Sequence, residues 1–233
     1  MSQVKAARWT NTNRKITITS STDASPSIEQ SQVLIAPTWA GICGTDISEY
    51  QQGPRISKPS VVIGREFSAV VREVHPSVNT LKLGSRIVSN PIVGCGACHM
   101  CAADRPNLSL RQSIVGYDIE GGMISSLVVC AKRCYEIADS LPLDIAALVE
   151  PLSVAWHGVE QSGWKKGQAA CVIGTGPIGV TTVACLKARG VDRIAVVGRP
   201  KERNETVKRL GVESVIESST EDVSSKVKEL FDG

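Results

Sequence analysis

Residues 172–180 read VIGTGPIGV, and this stretch decides the fold class of the chain. It contains a G-x-G-x-x-G turn that follows an apolar, strand-like run and opens a helical pattern. The first glycine permits a tight turn, the second lets a pyrophosphate approach the backbone, and the third lets the helix pack closely on the strand. The start of the helix then faces the phosphate charge. The turn therefore predicts a dinucleotide site, the alternative being a glycine-rich loop without a ligand. The predicted cofactor-binding residues of the turn are Gly174, Gly176, Pro177, Ile178 and Gly179.

The end of the next predicted strand indicates which dinucleotide binds. A site for NAD usually carries Asp or Glu there, which holds the ribose 2′-hydroxyl. Here the strand ends in Gly198, Arg199, Pro200 and Lys201, so no carboxylate repels a 2′-phosphate and a guanidinium is available to bind it. Gly198 and Arg199 are therefore predicted to bind NADP(H) in preference to NAD(H). The alternative is that Arg199 and Lys201 form only a solvated loop.

The chain divides into two unlike parts, which together predict an α/β fold class. Residues 1–150 contain short apolar runs cut by Gly and Pro, such as QVLIAPTWA at 32–40, and this pattern is typical of an antiparallel β domain. Residues 151–233 contain a helical linking segment and then alternating strands and helices, which predict a parallel sheet.

Composition limits the classes of partner. The chain has 233 residues, of which 42% are apolar, and its net charge of +3 includes no basic block. We therefore expect no binding to nucleic acid or to a membrane surface. No signal peptide and no membrane span is apparent, and eight cysteines without a secretory signal favour reduced thiols and metal ligation. The prediction is a soluble cytoplasmic protein.

Residues 95–109, CGACHMCAADRPNLS, form a cysteine lobe. Cys95, Cys98 and Cys101 have the spacing of a structural zinc site. A fourth thiolate would normally close such a site, but this stretch ends on Ser109, a much weaker zinc ligand. The lobe could complete its coordination with His99, Asp104 or water, because zinc accepts nitrogen and oxygen ligands, or it could have lost the metal.

Several motifs resemble the zinc-dependent medium-chain dehydrogenases, and most closely their polyol and butanediol branch. They are AGICGTDISEY at 40–50, VVIGREFSAVV at 61–71, the cysteine lobe, LVEPLSVAWHGV at 148–159 and the glycine turn. The resemblance implies a GroES-like β domain that carries the catalytic site, followed by a Rossmann domain. It also implies hydride transfer between a small alcohol or carbonyl substrate and a nicotinamide, with a catalytic zinc that polarises the substrate oxygen.

The resemblance carries over to individual residues. Cys43 matches the first catalytic zinc ligand, and Thr45 matches the hydroxyl that passes on the alcohol proton. Glu66 and Glu150 match carboxylates in or beside the metal shell, whereas Arg65 stands where the second zinc ligand, a histidine, belongs. The predicted catalytic residues are Cys43, Thr45, Arg65, Glu66 and Glu150, and the predicted catalytic metal ligands are Cys43, Glu66 and Glu150.

Three positions depart from the family pattern. Ser48 replaces the relay histidine, Ser109 replaces the fourth cysteine of the lobe, and Arg65 replaces a zinc ligand. Arginine stays protonated and has no lone pair for a metal. We therefore expect Arg65 to oppose zinc at the catalytic site and to pair with Glu66 and Glu150 instead.

The chain ends soon after the third strand of the predicted Rossmann domain. A complete dinucleotide-binding sheet has the strand order 3-2-1-4-5-6, so only its first half is expected here. The first strand would then have an unpaired apolar edge, which favours association. We expect either a truncated product or a sheet that an oligomer or another chain completes.

The sequence leaves three functions open. The first is an NAD(P)-dependent oxidoreductase with degraded zinc sites. The second is a catalytically inactive truncated paralogue that binds a nucleotide or a partner. The third is a zinc-independent NADPH reductase, in which Arg65 would stabilise negative charge that develops on a substrate oxygen.

Overall fold

The computed structural model describes residues 4–10, 15–21, 26–53, 57–199, 201–212 and 214–231. The chain forms two compact units, Met1–Glu150 and Pro151–Gly233. The sheets of the first unit are antiparallel and the sheet of the second is parallel, which confirms the predicted α/β fold class. No helix within the described ranges is long and apolar enough to cross a membrane.

The first unit is built mainly of short strands. Its strands are β1 (Val4–Thr10), β2 (Lys15–Ser21), β3 (Gln32–Ala40), β4 (Phe67–Val74), β5 (Arg86–Ser89), β6 (Ile92–Val93), β7 (Ser113–Ile114), β8 (Leu127–Cys130) and β9 (Cys134–Glu136). Its helices are α1 (Gly44–Gln52), α2 (His99–Ala102) and α3 (Leu143–Ala146), and α4 (Val149–Gln161) begins within it.

The main sheet of the first unit has the order β8-β3-β4-β5-β9. Alternate residues of β4, namely Phe67, Ala69 and Val71, are at most 2% exposed, because successive side chains of a strand point to opposite faces. They pack with Val33 and Ile35 of β3 into one apolar core. This core supports the loops at the ends of β3 and β4, which carry the candidate catalytic residues.

The second unit contains a three-stranded parallel sheet of order β10-β11-β12. Its strands are β10 (Ala170–Ile173), β11 (Ile194–Gly198) and β12 (Ser214–Glu217), and its helices after α4 are α5 (Pro177–Ala188), α6 (Lys201–Lys208) and α7 (Val223–Phe231). Every residue of the central strand β11 is buried, as expected for a parallel strand covered on both faces. Within the described residues, β10 is an edge strand.

Candidate functional site

Cys43 lies at the start of α1, where the chain leaves β3. It is the N-cap residue, and its backbone N–H donates a hydrogen bond of 2.9 Å to Oδ2 of Asp46. Asp46 is 3% exposed, and this contact fixes the first turn of the helix. Thr45 is half-buried on the same turn, whereas Ser48 is exposed. The predicted residues Cys43 and Thr45 therefore share one helix terminus.

Arg65 brings three separate segments of the first unit together. Its Nη2 and Nε donate to Sγ of Cys43 at 2.8 and 3.3 Å. Its Nη1 lies 3.2 Å from Oε1 of Glu150, with which it forms an ion pair. The structure thus joins Cys43 at the start of α1, Arg65 just before β4 and Glu150 in the first turn of α4.

Tyr117 is a member of this cluster that sequence reasoning missed. Cζ of Arg65 lies 5.7 Å from the centre of its ring, and Tyr117 is only 4% exposed. Burial raises the pKa of the Tyr117 hydroxyl, and the nearby Thr45 side chain and the charge of Arg65 partly oppose that rise. No sequence motif marks this tyrosine, because it lies in an irregular turn far along the chain from Cys43 and Arg65.

The cluster places one cation among several buried carboxylates. Burial raises the pKa of Glu150, while the charge of Arg65 lowers it. Burial also raises the pKa of Asp46. Burial alone would lower the pKa of Arg65, but the hydrogen bond to Cys43 and the charge of Glu150 outweigh it, so its pKa lies above the ordinary value. Arg65 therefore carries a permanent positive charge.

The predicted catalytic ligands do not form a metal-binding group in this arrangement. Among the described residues, the ligand atoms of Cys43, Glu66 and Glu150 do not all lie within 4.8 Å of one another. Glu66 is 8% exposed, and its carboxylate lies against Gly41. The Sγ of Cys43 instead accepts hydrogen bonds from a guanidinium. A catalytic zinc does not fit these residues.

The cysteine lobe of residues 95–109 does fit a metal. The Sγ atoms of Cys95, Cys98 and Cys101 all lie within 4.8 Å of one another. The Oγ of Ser109 lies 3.7 Å from Sγ of Cys98 and accepts a hydrogen bond of 3.0 Å from the backbone N–H of Cys95. Three thiolates and one hydroxyl therefore converge, which suits a tetrahedral zinc ion.

The electrostatics of the lobe also suit a metal. Backbone N–H groups of Cys101 and Leu110 lower the pKa of Cys98 to about 6. The Ser109 hydroxyl is the main cause of a lowered pKa at Cys95. The thiolate is the form that binds metal, so these contacts favour ligation at neutral pH. His99 and Asp104, the other ligands considered from the sequence, are exposed and are not members of the described cluster.

The glycine turn connects β10 to α5, as its pattern predicts. Gly174 has a φ of +113°, a backbone angle that residues with a side chain rarely adopt. A Cβ at Gly179 would lie 1.9 Å from the carbonyl oxygen of Gly174, so the helix packs against the turn at a distance that only glycine allows. A Cβ at Gly176 would meet open space, and Pro177 begins α5 directly after it. The turn therefore leaves room for a pyrophosphate at the helix N-terminus.

Gly198, the last residue of β11, faces two buried polar side chains. A Cβ there would lie 2.2 Å from Cγ2 of Thr175 and 2.7 Å from Oδ1 of Asn204. Asn204 donates to the carbonyl oxygen of Gly198 at 3.4 Å, and Thr175 and Asn204 are 4% and 3% exposed. No Asp or Glu fits at this position, whereas Arg199 next to it is exposed. Sequence reasoning missed Thr175 and Asn204. The side chain of Lys201 lies outside the described residues.

Comparisons with known families cover most of the chain. Residues 29–139 match the alcohol dehydrogenase GroES-like domain, and residues 143–232 match the glucose dehydrogenase C-terminus. The (R,R)-butanediol dehydrogenase of Bacillus subtilis is 36% identical over 242 residues, a match that covers 99% of this chain and 68% of the relative. The (R,R)-butanediol dehydrogenase of Saccharomyces cerevisiae is 36% identical over 209 residues, covering 78% of this chain and 55% of the relative.

Solved structures agree with these matches. The crystal structure of 2R,3R-butanediol dehydrogenase from Bacillus subtilis superposes with a TM-score of 0.87 at 33% identity, covering 99% of this chain and 68% of that one. A protein from Sinorhizobium meliloti, described as a zinc-binding dehydrogenase bound to NADP, has a TM-score of 0.87 at 29% identity, covering 96% of this chain and 64% of that one.

The chain belongs to the zinc-dependent medium-chain alcohol and polyol dehydrogenase family. The resemblance predicted from the sequence is therefore confirmed, including its GroES-like first part. The chain spans 55% of the length of the yeast relative. The roles of individual site residues remain predictions.

Proposed function

We propose that the protein is an NADP(H)-dependent oxidoreductase that interconverts a small secondary alcohol and the corresponding carbonyl compound. The observation that supports this proposal is the close packing of Thr175 and Asn204 against Gly198, directly beside Arg199 and the glycine turn. This packing leaves no space for the carboxylate that an NAD site would need. The names of the relatives, which include butanediol dehydrogenases, a diacetyl reductase and xylulose reductases, support the substrate class.

In this proposal the second unit holds the cofactor. The backbone N–H groups of the turn at residues 174–179 bind the pyrophosphate, and Arg199 binds the 2′-phosphate as a charge-assisted hydrogen-bond donor. The bound nicotinamide supplies or accepts the hydride.

The first unit supplies the charge and the proton path. The Thr45 hydroxyl, which acts on the nearby Tyr117 hydroxyl, transfers the proton to or from the substrate oxygen. Ser48 is exposed, so the proton passes from Thr45 to water instead of to a histidine. Arg65 uses three N–H groups on Cys43 and Glu150, and its positive charge stabilises negative charge that develops on the substrate oxygen.

One observation favours the zinc-independent variant of this function. Arg65 is held against Cys43, the residue that would otherwise begin a catalytic zinc site. We therefore infer that any zinc in the protein binds at Cys95, Cys98 and Cys101, with Ser109 as the oxygen ligand, and supports the lobe alone. The cytoplasmic location and the absence of nucleic-acid and membrane partners stay predictions from composition.

The experiment that tests the proposed function is a turnover assay with the purified chain. 2,3-Butanediol, diacetyl, acetoin and xylulose are each offered with NADP(H) and with NAD(H). We expect turnover of at least one substrate, faster with NADP(H), and a loss of about 100-fold or more in Thr45→Ala. Binding of NADPH without turnover of any substrate would contradict the proposal and favour an inactive nucleotide-binding protein.

A further inference from the structure

We infer that the guanidinium of Arg65 takes the place of the catalytic metal ion, so that Cys43, Glu66 and Glu150 bind no divalent cation in this protein. The cluster is then a permanently charged, metal-free pocket in a family named for its use of zinc. This inference concerns which cation occupies the pocket, and it does not depend on the proposed reaction.

The hydrogen bonds to Cys43 are the first argument. A zinc ion bound to a cysteine lies about 2.3 Å from its sulfur. Here Nη2 of Arg65 lies 2.8 Å from the Cys43 sulfur, and Nε lies 3.3 Å from it. Two N–H groups of one planar guanidinium therefore donate to the sulfur atom that would have to bind a metal.

The charge balance of the pocket is the second argument. The side chains of Arg65 and Glu150 are 25% and 11% exposed, and they form an ion pair of 3.2 Å. A divalent ion at the same carboxylate would lie beside a guanidinium that stays protonated, in a partly buried site where like charges are poorly screened. Glu66 is also buried, and its negative charge acts on Glu150.

The backbone beside Arg65 is the third argument, because close packing holds the main chain of this turn in place. The preceding residue, Gly64, has a φ of +97°, and a Cβ there would lie 2.7 Å from Cγ of Met123. A Cβ at Gly121 would lie 2.5 Å from the carbonyl oxygen of Gly64, so the loop at Gly121 packs closely against this turn. On the other side, the buried ring of Tyr117 lies 5.7 Å from the guanidinium. The main chain beside Arg65 is thus closely packed, and an aromatic ring lies next to its guanidinium.

The zinc content of five proteins, purified without chelator and measured by elemental mass spectrometry, tests this inference. They are the unmodified chain, Cys43→Ala, Arg65→His, Arg65→Lys and the double variant Cys43→Ala/Arg65→His. We expect the unmodified chain, Cys43→Ala and Arg65→Lys to hold equal amounts of zinc. Arg65→His should gain about one equivalent, because it removes the charge and supplies a nitrogen ligand, and the double variant should lose that gain.

Two results would overturn the inference. One is a loss of zinc from the unmodified chain when Cys43 is replaced, which would mean that the metal binds there despite Arg65. The other is an Arg65→His protein that keeps its circular dichroism and cooperative melting but gains no zinc. If Arg65→His does not fold, the comparison between the unmodified chain and Cys43→Ala still decides between the two accounts. The test measures zinc content and not activity, so a failed turnover assay does not affect it.

Discussion

At the scale of single residues, Arg65 and Ser109 each stand at a predicted zinc-ligand position, but their contacts differ. Arg65 brings a positive charge into the cluster and contacts the Cys43 sulfur itself. Ser109 keeps an oxygen 3.7 Å from the Cys98 sulfur, inside a lobe where three thiolates remain. We therefore infer that Arg65 excludes a metal from its cluster, whereas Ser109 weakens a metal site that three cysteines can still form.

Ser109→Cys should strengthen zinc binding by the lobe, because a fourth thiolate replaces a weak hydroxyl ligand. Structural zinc can contribute on the order of 10 kcal/mol to local folding, so we expect apparent zinc affinity to rise about 10-fold or more and the lobe to resist proteolysis. Competition with a chromogenic chelator measures the affinity. Ser109→Ala is the matched control and should bind zinc no better than the unmodified chain. An unchanged affinity in Ser109→Cys would mean that residue 109 does not face the metal.

Only part of the catalytic cluster could be predicted at this scale. The positive charge of Arg65 and its family position predicted pairing with Glu66 and Glu150. Among the described residues, the ion pair of Arg65 is with Glu150 and not with Glu66. The contact with Cys43 and the approach of Tyr117 could not be predicted, because they depend on how separate loops fold back onto the sheet. Such contacts leave no periodic pattern in the sequence.

At the scale of elements, the connection from β10 to α5 packs against the end of β11. The glycine pattern predicted the turn itself, since Gly174 adopts a positive φ and Gly179 packs against the Gly174 carbonyl too closely for a side chain. The pattern did not predict that Thr175, within the turn, and Asn204, on α6, enclose Gly198. Both residues look like ordinary polar surface positions in the sequence, and only the packing of α6 on the sheet buries them.

Gly198→Ala should destabilise the protein by about 1–3 kcal/mol, because its new Cβ would overlap the side chain of Thr175. The double variant Thr175→Ala/Gly198→Ala should recover part of that loss, since it removes the nearest atoms. Thermal and denaturant unfolding measure both changes. Gly158→Ala is the matched control, because a Cβ at this helical glycine meets open space. It should be neutral or slightly stabilising. Equal changes in stability for Gly158→Ala and Gly198→Ala would refute the close packing of Thr175 and Asn204 against Gly198.

At the scale of the whole molecule, one exposed feature is β10, which is an edge strand among the residues that the structure describes. Ile173 on this strand is 84% exposed, and a groove of about 750 Å³ beside it is lined by apolar residues that include Val159, Trp164 and Ile178. Unpaired N–H and C=O groups on an apolar edge favour pairing with another strand. The sequence predicted this edge, because β10 is the first strand of the predicted dinucleotide-binding sheet and that strand normally has a neighbour on each side.

We therefore expect the chain to self-associate through residues 169–173 as its concentration rises. Ile173→Lys should reduce this association, because a charge on an edge strand opposes strand pairing. Leu83→Lys is the matched control, since Leu83 is 71% exposed but lies outside the strands. Size-exclusion chromatography with light scattering measures the molar mass. A monomer at high concentration, identical in all three proteins, would contradict the prediction.

The measurement that tests the central claim most directly is isothermal titration of the protein with 2′-phospho-ADP-ribose and with plain ADP-ribose. If Gly198 and Arg199 form an NADP(H) site, the phosphorylated ligand should bind about 10-fold or more tightly, because a guanidinium–phosphate pair is a strong charge-assisted contact. Arg199→Asp should reverse the preference. Equal or weaker binding of the phosphorylated ligand to the unmodified chain would contradict the account.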